Sequence, residues 1–369
     1  MYCLMSVCVM VGVRRLGKAP RRAPSEPLPF VTVLVAARDE EQHIEGCLES
    51  LLRQEYPSDL YEVVVVNDRS VDATPQIIAK LAARYPNLSV IDIVETPDDV
   101  TGKQNALRVA VPRTRGEFVL NTDADCVAPP TWVSAMVERF APDVGLVMGL
   151  PTAHAAGSRA SLLTRVQSLD LAFLLHQAIG AAGWGSPASC IGNNLAYRRS
   201  ALDEIGGYDD LPATLTEDAL LVRTLREATD WKVVAANCPE ALMLTQPALS
   251  WQAFYQQRAR WILGGLETRS PSVKVLYGVL LYYWLLLLSP VAVVLAPALL
   301  WPACVAICTK LVADLAVAWQ ACARLSRRDL LRAYLPFSAY YLLYASVLGL
   351  TALFSGKVQW KGQMYERRR

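Results

Sequence analysis

Hydrophobic and polar positions follow two textures along the chain, with the change near residue 270. From Val31 onward, short β-branched runs alternate with amphipathic stretches. Val31–Ala36 (VTVLVA) has the length of a buried parallel strand, and Tyr61–Val66 (YEVVVV), Leu88–Val94 and Phe118–Asn121 read as the second, third and fourth strands. Between them, Asp39–Gln54 places Ile44, Leu48, Leu51 and Leu52 at helical spacing, Asp72–Tyr85 turns Ile77, Ile78 and Leu81 inward, and Gly102–Ala110 opens a third helix. Repeated strand–helix units predict an α/β domain with a Rossmann-like, mostly parallel sheet covered on both sides. Such sheets bind ligands outside the carboxyl ends of their strands, which is where Asp68, Asp123 and Asp125 fall.

The next part is less regular. Ser158–Ile179 reads as a long helix, Cys190–Tyr197 as a strand, and Thr216–Thr229 as a helix with Thr216 at its N-cap. Trp184–Asn194 (WGSPASCIGNN) is too rich in small residues for core and reads as a loop lining a site.

After residue 274 the texture becomes almost wholly apolar. No charged residue occurs in the 35 positions Val275–Thr309, which exceeds one crossing helix of about 20 residues and is interrupted by Pro290, Pro297 and Pro302. Three hydrophobic segments are expected, at about 275–297, 299–323 and 335–355. Lys310 and Asp314, four residues apart, must pair with each other or face protein. Arg324, Arg327, Arg328 and Arg332 form a basic segment that two crossings would return to the cytoplasm. A third crossing would put Lys357, Lys361 and Arg367–Arg369 on the other side, so the last segment is re-entrant or the tail breaks the positive-inside rule. At the N-terminus, residues 2–13 are apolar and a basic cluster follows them, the reverse of a secretory signal. This stretch reads as the end of a transmembrane helix, an interfacial anchor or a disordered leader, joined to the first domain by a linker stiffened by Pro20, Pro24, Pro27 and Pro29. The expected organisation is therefore 1–29, N-terminal segment and linker; 30–268, catalytic domain; and 269–369, membrane region and basic tail.

Composition sharpens the picture in two places. Lys and Arg total 36 against 34 Asp and Glu, so no global field favours nucleic acid. Nine scattered cysteines with no C-x-x-C pair suit a reducing compartment. His43, His154 and His176 are too far apart in sequence to suggest a metal cluster, and are read as structural or surface residues.

Three short motifs carry the candidate chemistry. Asp123-Ala124-Asp125 offers two carboxylates on one loop, suited to a divalent metal gripping a diphosphate. Thr216-Glu217-Asp218 supplies a carboxylate that could act as a base, and Gln257-x-x-Arg260-Trp261 a donor, a cation and an aromatic plate. Together with Ala36-Ala37-Arg38-Asp39-Glu40-Glu41, Asp68, Gly102-Lys103 and Gly192-Asn193-Asn194, this set resembles the family 2 inverting glycosyltransferases of GT-A fold. The resemblance runs from about residue 31 to 268. It extends to the end in the membrane-bound branch, similar to ceramide glucosyltransferase-like and cell-envelope enzymes. The ending Trp360-Lys361-Gly362 with Tyr365 is similar to a Trp-basic-Gly-Tyr tail of the lipid-glycosylating members.

The resemblance implies roles residue by residue. Asp68 holds the base or ribose of a nucleotide sugar, expected to be UDP-linked, with Arg38 and Glu40 beside it and Lys103 and Asn194 close by. Asp123 contacts ribose or metal, and Asp125 binds a Mg²⁺ or Mn²⁺ ion. Asp218 is the general base, with Glu217 its competitor, while Gln257, Arg260 and Trp261 cap the diphosphate and frame the acceptor opening. The expected protein is a bacterial inner-membrane enzyme with its catalytic domain in the cytoplasm, moving one sugar to a lipid acceptor such as a sphingolipid, a diacylglycerol or a hydroxylated carotenoid. A processive polysaccharide synthase with a glycan acceptor is the second reading. An inactive scaffold is the third, opposed by intact Asp125, Asp218 and Arg260.

Overall fold

The structure is a computed structural model that describes the chain except residues 1, 96, 98, 99, 154–159, 188, 215, 268–271, 356, 361, 362 and 367–369. For 263–267, 272–277, 348–355, 357–360 and 363–366 the backbone alone is described. The first half runs α1 (Tyr2–Gly17), β1 (Val31–Ala37), α2 (Ile44–Leu51), β2 (Tyr61–Asp68), α3 (Thr74–Ala82), β3 (Leu88–Ile93), α4 (Gly102–Ala110), β4 (Phe118–Asp123) and α5 (Trp132–Val137). Then come β5 (Val144–Met148), β6 (Leu150–Ala153), α6 (Leu162–Ala182), β7 (Leu195–Arg198), α7 (Arg199–Glu204), α8 (Glu217–Ala228), β8 (Lys232–Ala235) and β9 (Leu242–Thr245). The chain closes with α9 (Trp251–Glu267), α10 (Ser272–Leu295), α11 (Leu300–Arg324), α12 (Tyr334–Ser355), β10 (Lys357–Trp360) and β11 (Gln363–Glu366).

Seven strands form one sheet in the order β3-β2-β1-β4-β7-β5-β8, with β7 alone antiparallel to its neighbours. The uninterrupted β-branched run of β1 is explained by burial on both faces, since Val31, Val33, Leu34 and Val35 have no solvent exposure, whereas the edge strand β3 is largely exposed. Register then sets the site. Ala36 pairs with Asp123 across one side of β1 while Ala37 pairs with Asn67 across the other, so Asp68 and Asp123 flank the carboxyl end of the same central strand.

Helix α2 is shorter than the spacing predicts. Residues 39–43 stay outside it because Asp39 takes a left-handed backbone (φ 53°) and the loop is laced to the one after β2. Val71 N–H donates to Asp39 Oδ1 (2.8 Å), Glu41 N–H to Asp72 Oδ2 (3.0 Å), and Ala73 N–H to Glu41 Oε2 (3.0 Å). Local hydrogen bonds to turn carboxylates thus win over one more helical turn. Strand β7 is also shorter than expected, because Cys190–Asn194 remain loop, and α8 begins at Glu217. Thr216 sits at the N-cap position, but its hydroxyl makes no capping bond.

The N-terminal apolar segment is a packed helix. Gly12 of α1 meets Gly180 of α6 and Gly183 at that helix's C-cap so closely that a Cβ on Gly12 would stand 2.0 Å from the Gly180 carbonyl oxygen. Trp184 Nε1 donates to the Cys8 carbonyl (2.8 Å), and Gln320 of α11 joins His176 (2.9 Å) to the Met10 carbonyl (3.2 Å). His176 is therefore structural, and His154 lies outside the described residues. Among the described residues two helices are long and apolar enough to cross a membrane, Gly278–Leu295 and Pro297–Arg324. Lys310 and Asp314 do pair, at 3.0 Å, facing protein: Lys310 donates to Ser338 Oγ (2.6 Å) and the Tyr2 hydroxyl donates to Asp314.

Candidate active site

Four elements converge at the carboxyl end of β1 and β4. Helix α4 is the hinge between them, started by Thr101, whose hydroxyl accepts the N–H of Gln104 (3.3 Å). Its first residue, Gly102, leans on Asp68: a Cβ there would sit 2.4 Å from Asp68 Oδ2. Asp68 is buried and held by Arg69 in a two-pronged bond, Nε to Oδ1 at 2.7 Å and Nη2 to Oδ2 at 3.2 Å. The next residue, Lys103, turns the other way and lies 2.6 Å from Asp123 Oδ1 and 3.4 Å from Glu217 Oε1.

Lys103 is the charge around which the cluster is built. Burial works against its ammonium, but Asp123 and Glu217 outweigh that and hold it above the usual lysine range. Asp218 is the next residue along α8, and its Oδ1 accepts the Ala219 N–H (2.7 Å). Its other oxygen faces Gly192, where a Cβ would come within 3.2 Å of Asp218 Oδ2 and 3.0 Å of Lys103 Nζ. Burial first, then repulsion from Glu217, push the Asp218 carboxyl up to about 6; Lys103, the Ala219 N–H and Arg260 pull the other way. The charge of Arg260 thus acts on Asp218, which puts α9 at the same cleft. Replacing Lys103 with Met removes one downward influence, so the acid limb of any activity dependent on Asp218 moves about one pH unit or more upward. A pH–rate profile of K103M checks this, and an unmoved limb refutes the coupling.

The remaining sequence candidates fall in three groups. Arg38 lies 3.8 Å from Asp39, and with Glu40 belongs to the loop beside Asp68. Asp125 is partly exposed next to Asp123. Asn194 is the correction. Its side chain has no exposure, takes the Trp132 indole N–H (2.9 Å), and donates to the carbonyls of Leu150 and Ala241 (2.9 Å each). It is a strut between β5–β6, α5 and the turn before β9, and its amide is not offered to a substrate. N194A should cost about 3 kcal/mol of stability, since three buried partners lose their bonds; unchanged thermal unfolding would contradict this role.

Residues the sequence did not single out complete the site. Gln104 follows Lys103, and its buried amide donates to the carbonyls of Leu211 and Pro212 (3.2 Å each) and accepts the Thr214 N–H (3.2 Å). It ties the loop of Leu211, Pro212 and Thr214, which leads toward α8, to α4. On α9, Arg258 is buried and bonded to Asp170 of α6, Nε to Oδ2 at 2.8 Å, with its guanidinium 4.6 Å from the Phe254 ring and 4.0 Å from the Trp261 ring. Gln257 accepts from Arg258 Nη1 (3.2 Å), so Gln257 and Trp261 both brace that pair. Their adjacency in the motif was the only available signal, since Asp170 is far away in sequence.

Two cysteines border the cluster. Burial, then Asp125 and Asp123, push the Cys126 thiol well up, and burial with Asp218 and Glu217 does the same to Cys190. Neither is poised as a nucleophile. Among the described residues no group of three or more His, Cys, Asp or Glu side chains could hold a metal. Two carboxylates at a partly exposed strand end, Asp123 and Asp125, instead fit an ion whose other ligands come from phosphate and water.

Comparison with known proteins agrees with this architecture. A β-monoglucosyldiacylglycerol synthase of Nostoc sp. is 31% identical over 277 residues, 72% of this chain and 56% of that protein. A poly-β-1,6-N-acetyl-D-glucosamine synthase of Staphylococcus epidermidis is 26% identical over 245 residues, 64% of this chain and 55% of that one. The chain thus spans about half the length of the curated relatives it matches. The mannosyltransferase PcManGT from Pyrobaculum calidifontis, solved with GDP-Man and Mn²⁺, is 20% identical, with a TM-score of 0.55 over 96% of this chain and 99% of that one. That likeness shows the GT-A fold. The motifs by themselves point to family 2 and its ceramide glucosyltransferase-like branch; the whole chain, residues 1–369, matches glycosyl transferase family 21, and to that family it belongs.

Proposed function

We propose that this chain is an inverting glycosyltransferase that moves one sugar from a nucleotide sugar, UDP-linked, to a hydroxyl of a lipid acceptor at a membrane surface. One observation carries the reading: α9 places the charge of Arg260 on Asp218 and runs on toward α10, the first of the two long apolar helices. The carboxylate that would take the acceptor's proton is therefore coupled to the helix that precedes the apolar region in the chain. The lipid acceptor of the Nostoc relative's name supports the same choice.

In this reading Asp68 and the loop of Arg38 and Glu40 receive the nucleoside, and Arg260 faces the diphosphate. A bound Mg²⁺ or Mn²⁺, held by Asp125 with Asp123 beside it, would neutralise charge on the leaving diphosphate. Lys103 keeps the carboxylates of Asp123 and Glu217 from repelling each other. Glu217 is spent on that pairing, which leaves Asp218 as the base. As the acceptor oxygen attacks the anomeric carbon, its proton passes to Asp218, the new C–O bond forms and the bond to the diphosphate breaks on the opposite face. No covalent enzyme intermediate is required.

Incubating membranes that contain the chain with labelled nucleotide sugars, then separating organic-soluble product from polymer, tests the reading. Label in a short glycolipid is the expected outcome. Label in long polymer would favour the processive reading suggested by the Staphylococcus relative's name. Absence of product with every donor would leave the inactive scaffold.

A further inference from the structure

A second concentration of charge lies away from Lys103 and Asp218. Strand β8 is one edge of the sheet, and the chain leaving its carboxyl end, residues 236–238, forms one wall of a cleft of about 60 Å³, which admits a group larger than one water. The other walls are Gly17 and Arg21 from the end of α1 and the chain after it, Glu138 and Arg139 just after α5, and Arg324 at the end of α11. Arg139 is 5% exposed. Its Nη2 donates to the Leu16 carbonyl (3.2 Å), while its buried Nε has no acceptor among the described residues. The amide of Asn237 is likewise buried, with neither its oxygen nor its nitrogen bonded to a described residue. The Arg324 guanidinium lies against Gly17, where a Cβ would stand 3.1 Å from Nη1 and 3.4 Å from Nη2. Arg21 Nη1 donates to Glu138 Oε1 (2.5 Å). One carbonyl and one carboxylate are few acceptors for three guanidinium groups, each a fork of several N–H donors. Burial, then the charge of Arg21, hold the Arg139 guanidinium below its ordinary range, and Glu138 offsets this only in part.

We propose that this cleft binds a phosphate group, held by Arg139 and the Asn237 amide on its buried side and by Arg324 and Arg21 on its exposed side. Guanidinium forks match phosphate oxygens in pairs, and the amide adds a neutral donor. Three guanidinium charges against the single carboxylate of Glu138 leave the cleft positive, so a cation is excluded. The phosphate would join the ends of α1, α5 and α11, which are distant in the chain. A lipid headgroup is one source of that phosphate, since Arg324 closes one of the two long apolar helices; a free phosphate ion is the other.

Thermal unfolding of the full chain tests the site without any turnover. It is measured in neutral detergent with inorganic phosphate against chloride at equal ionic strength, and in nanodiscs of phosphatidylglycerol against phosphatidylcholine, whose choline cation the cleft would repel. A higher melting temperature is expected, and the arm that responds names the source. R324Q, at an exposed position, should raise the phosphate concentration for half the shift about tenfold, or remove most of the lipid shift. R139K, which keeps the charge and loses the fork, should act in the same direction; if it does not fold, R324Q decides. R328Q, at an exposed arginine outside the cleft, should change neither shift. A shift that survives R324Q belongs to another site, the one facing the diphosphate included, and overturns the proposal. No shift in either arm, or one that R328Q weakens as much as R324Q does, overturns it too.

Discussion

Replacing Asp218 with Asn should lower turnover by about 10²- to 10⁴-fold, the contribution of a positioned general base, while the protein stays folded in membranes. Asn keeps the shape and can still accept the Ala219 N–H that Asp218 Oδ1 holds at 2.7 Å, so folding is not the variable. What it loses is a carboxylate able to take a proton. The wild type should also show activity that rises with pH through about 6, because burial and Glu217 hold the Asp218 carboxyl there and only the ionised form serves as base. D218N should lack that limb. E217Q, which weakens the contact with Lys103, should keep more activity than D218N. Full activity in D218N, or a deeper loss in E217Q with its limb intact, would move the base to another residue.

Replacing Arg258 with Met should destabilise the protein by about 3–5 kcal/mol, because Asp170, which has no solvent exposure, would be left as a buried charge without its partner. The long apolar side chain still fills the space between Phe254 and Trp261, which isolates the electrostatic loss from a packing loss. Adding Asp170→Asn to R258M should restore part of the stability, and thermal unfolding in detergent reads both. If R258M melts like the wild type, the pair does not hold α9 to α6. An intermediate result has a functional side. A loosened α9 would also weaken the influence of Arg260 on Asp218, so the acid limb of R258M should shift upward along with the fall in stability.

These two residues show what was legible in the sequence and what was not. Asp218 could be read because its chemistry is local: a carboxylate at the start of an amphipathic helix, in a motif of fixed order. Arg258 sits two positions before Arg260, and its meaning lies in Asp170, a contact across 88 residues that the motif does not show. The motif of Asn194 suggests a substrate contact, yet its buried side chain bonds Trp132, Leu150 and Ala241. The resemblance puts Lys103 near the nucleotide, while its pairing with both Asp123 and Glu217 depends on α4 and α8 meeting at the cleft. Short strands such as β5 and β8 escaped because runs of four or five residues carry too little periodicity to separate from loop.

Periodicity and composition by themselves determined the α/β class, the positions of the first four strands, the acidic strand ends and the apolar region after residue 274. Each is a property of spacing along the chain, and burial on both faces or in an apolar layer imposes it directly on the sequence. Tertiary structure decided which of the acidic residues share one lysine, that the N-terminal apolar stretch is a helix fitted to α6 through Gly12, Gly180 and Gly183, and that α12 packs on α9 through Tyr340 and Phe254. Those facts depend on pairs distant in the chain, whose attraction or close approach leaves no mark at either position alone.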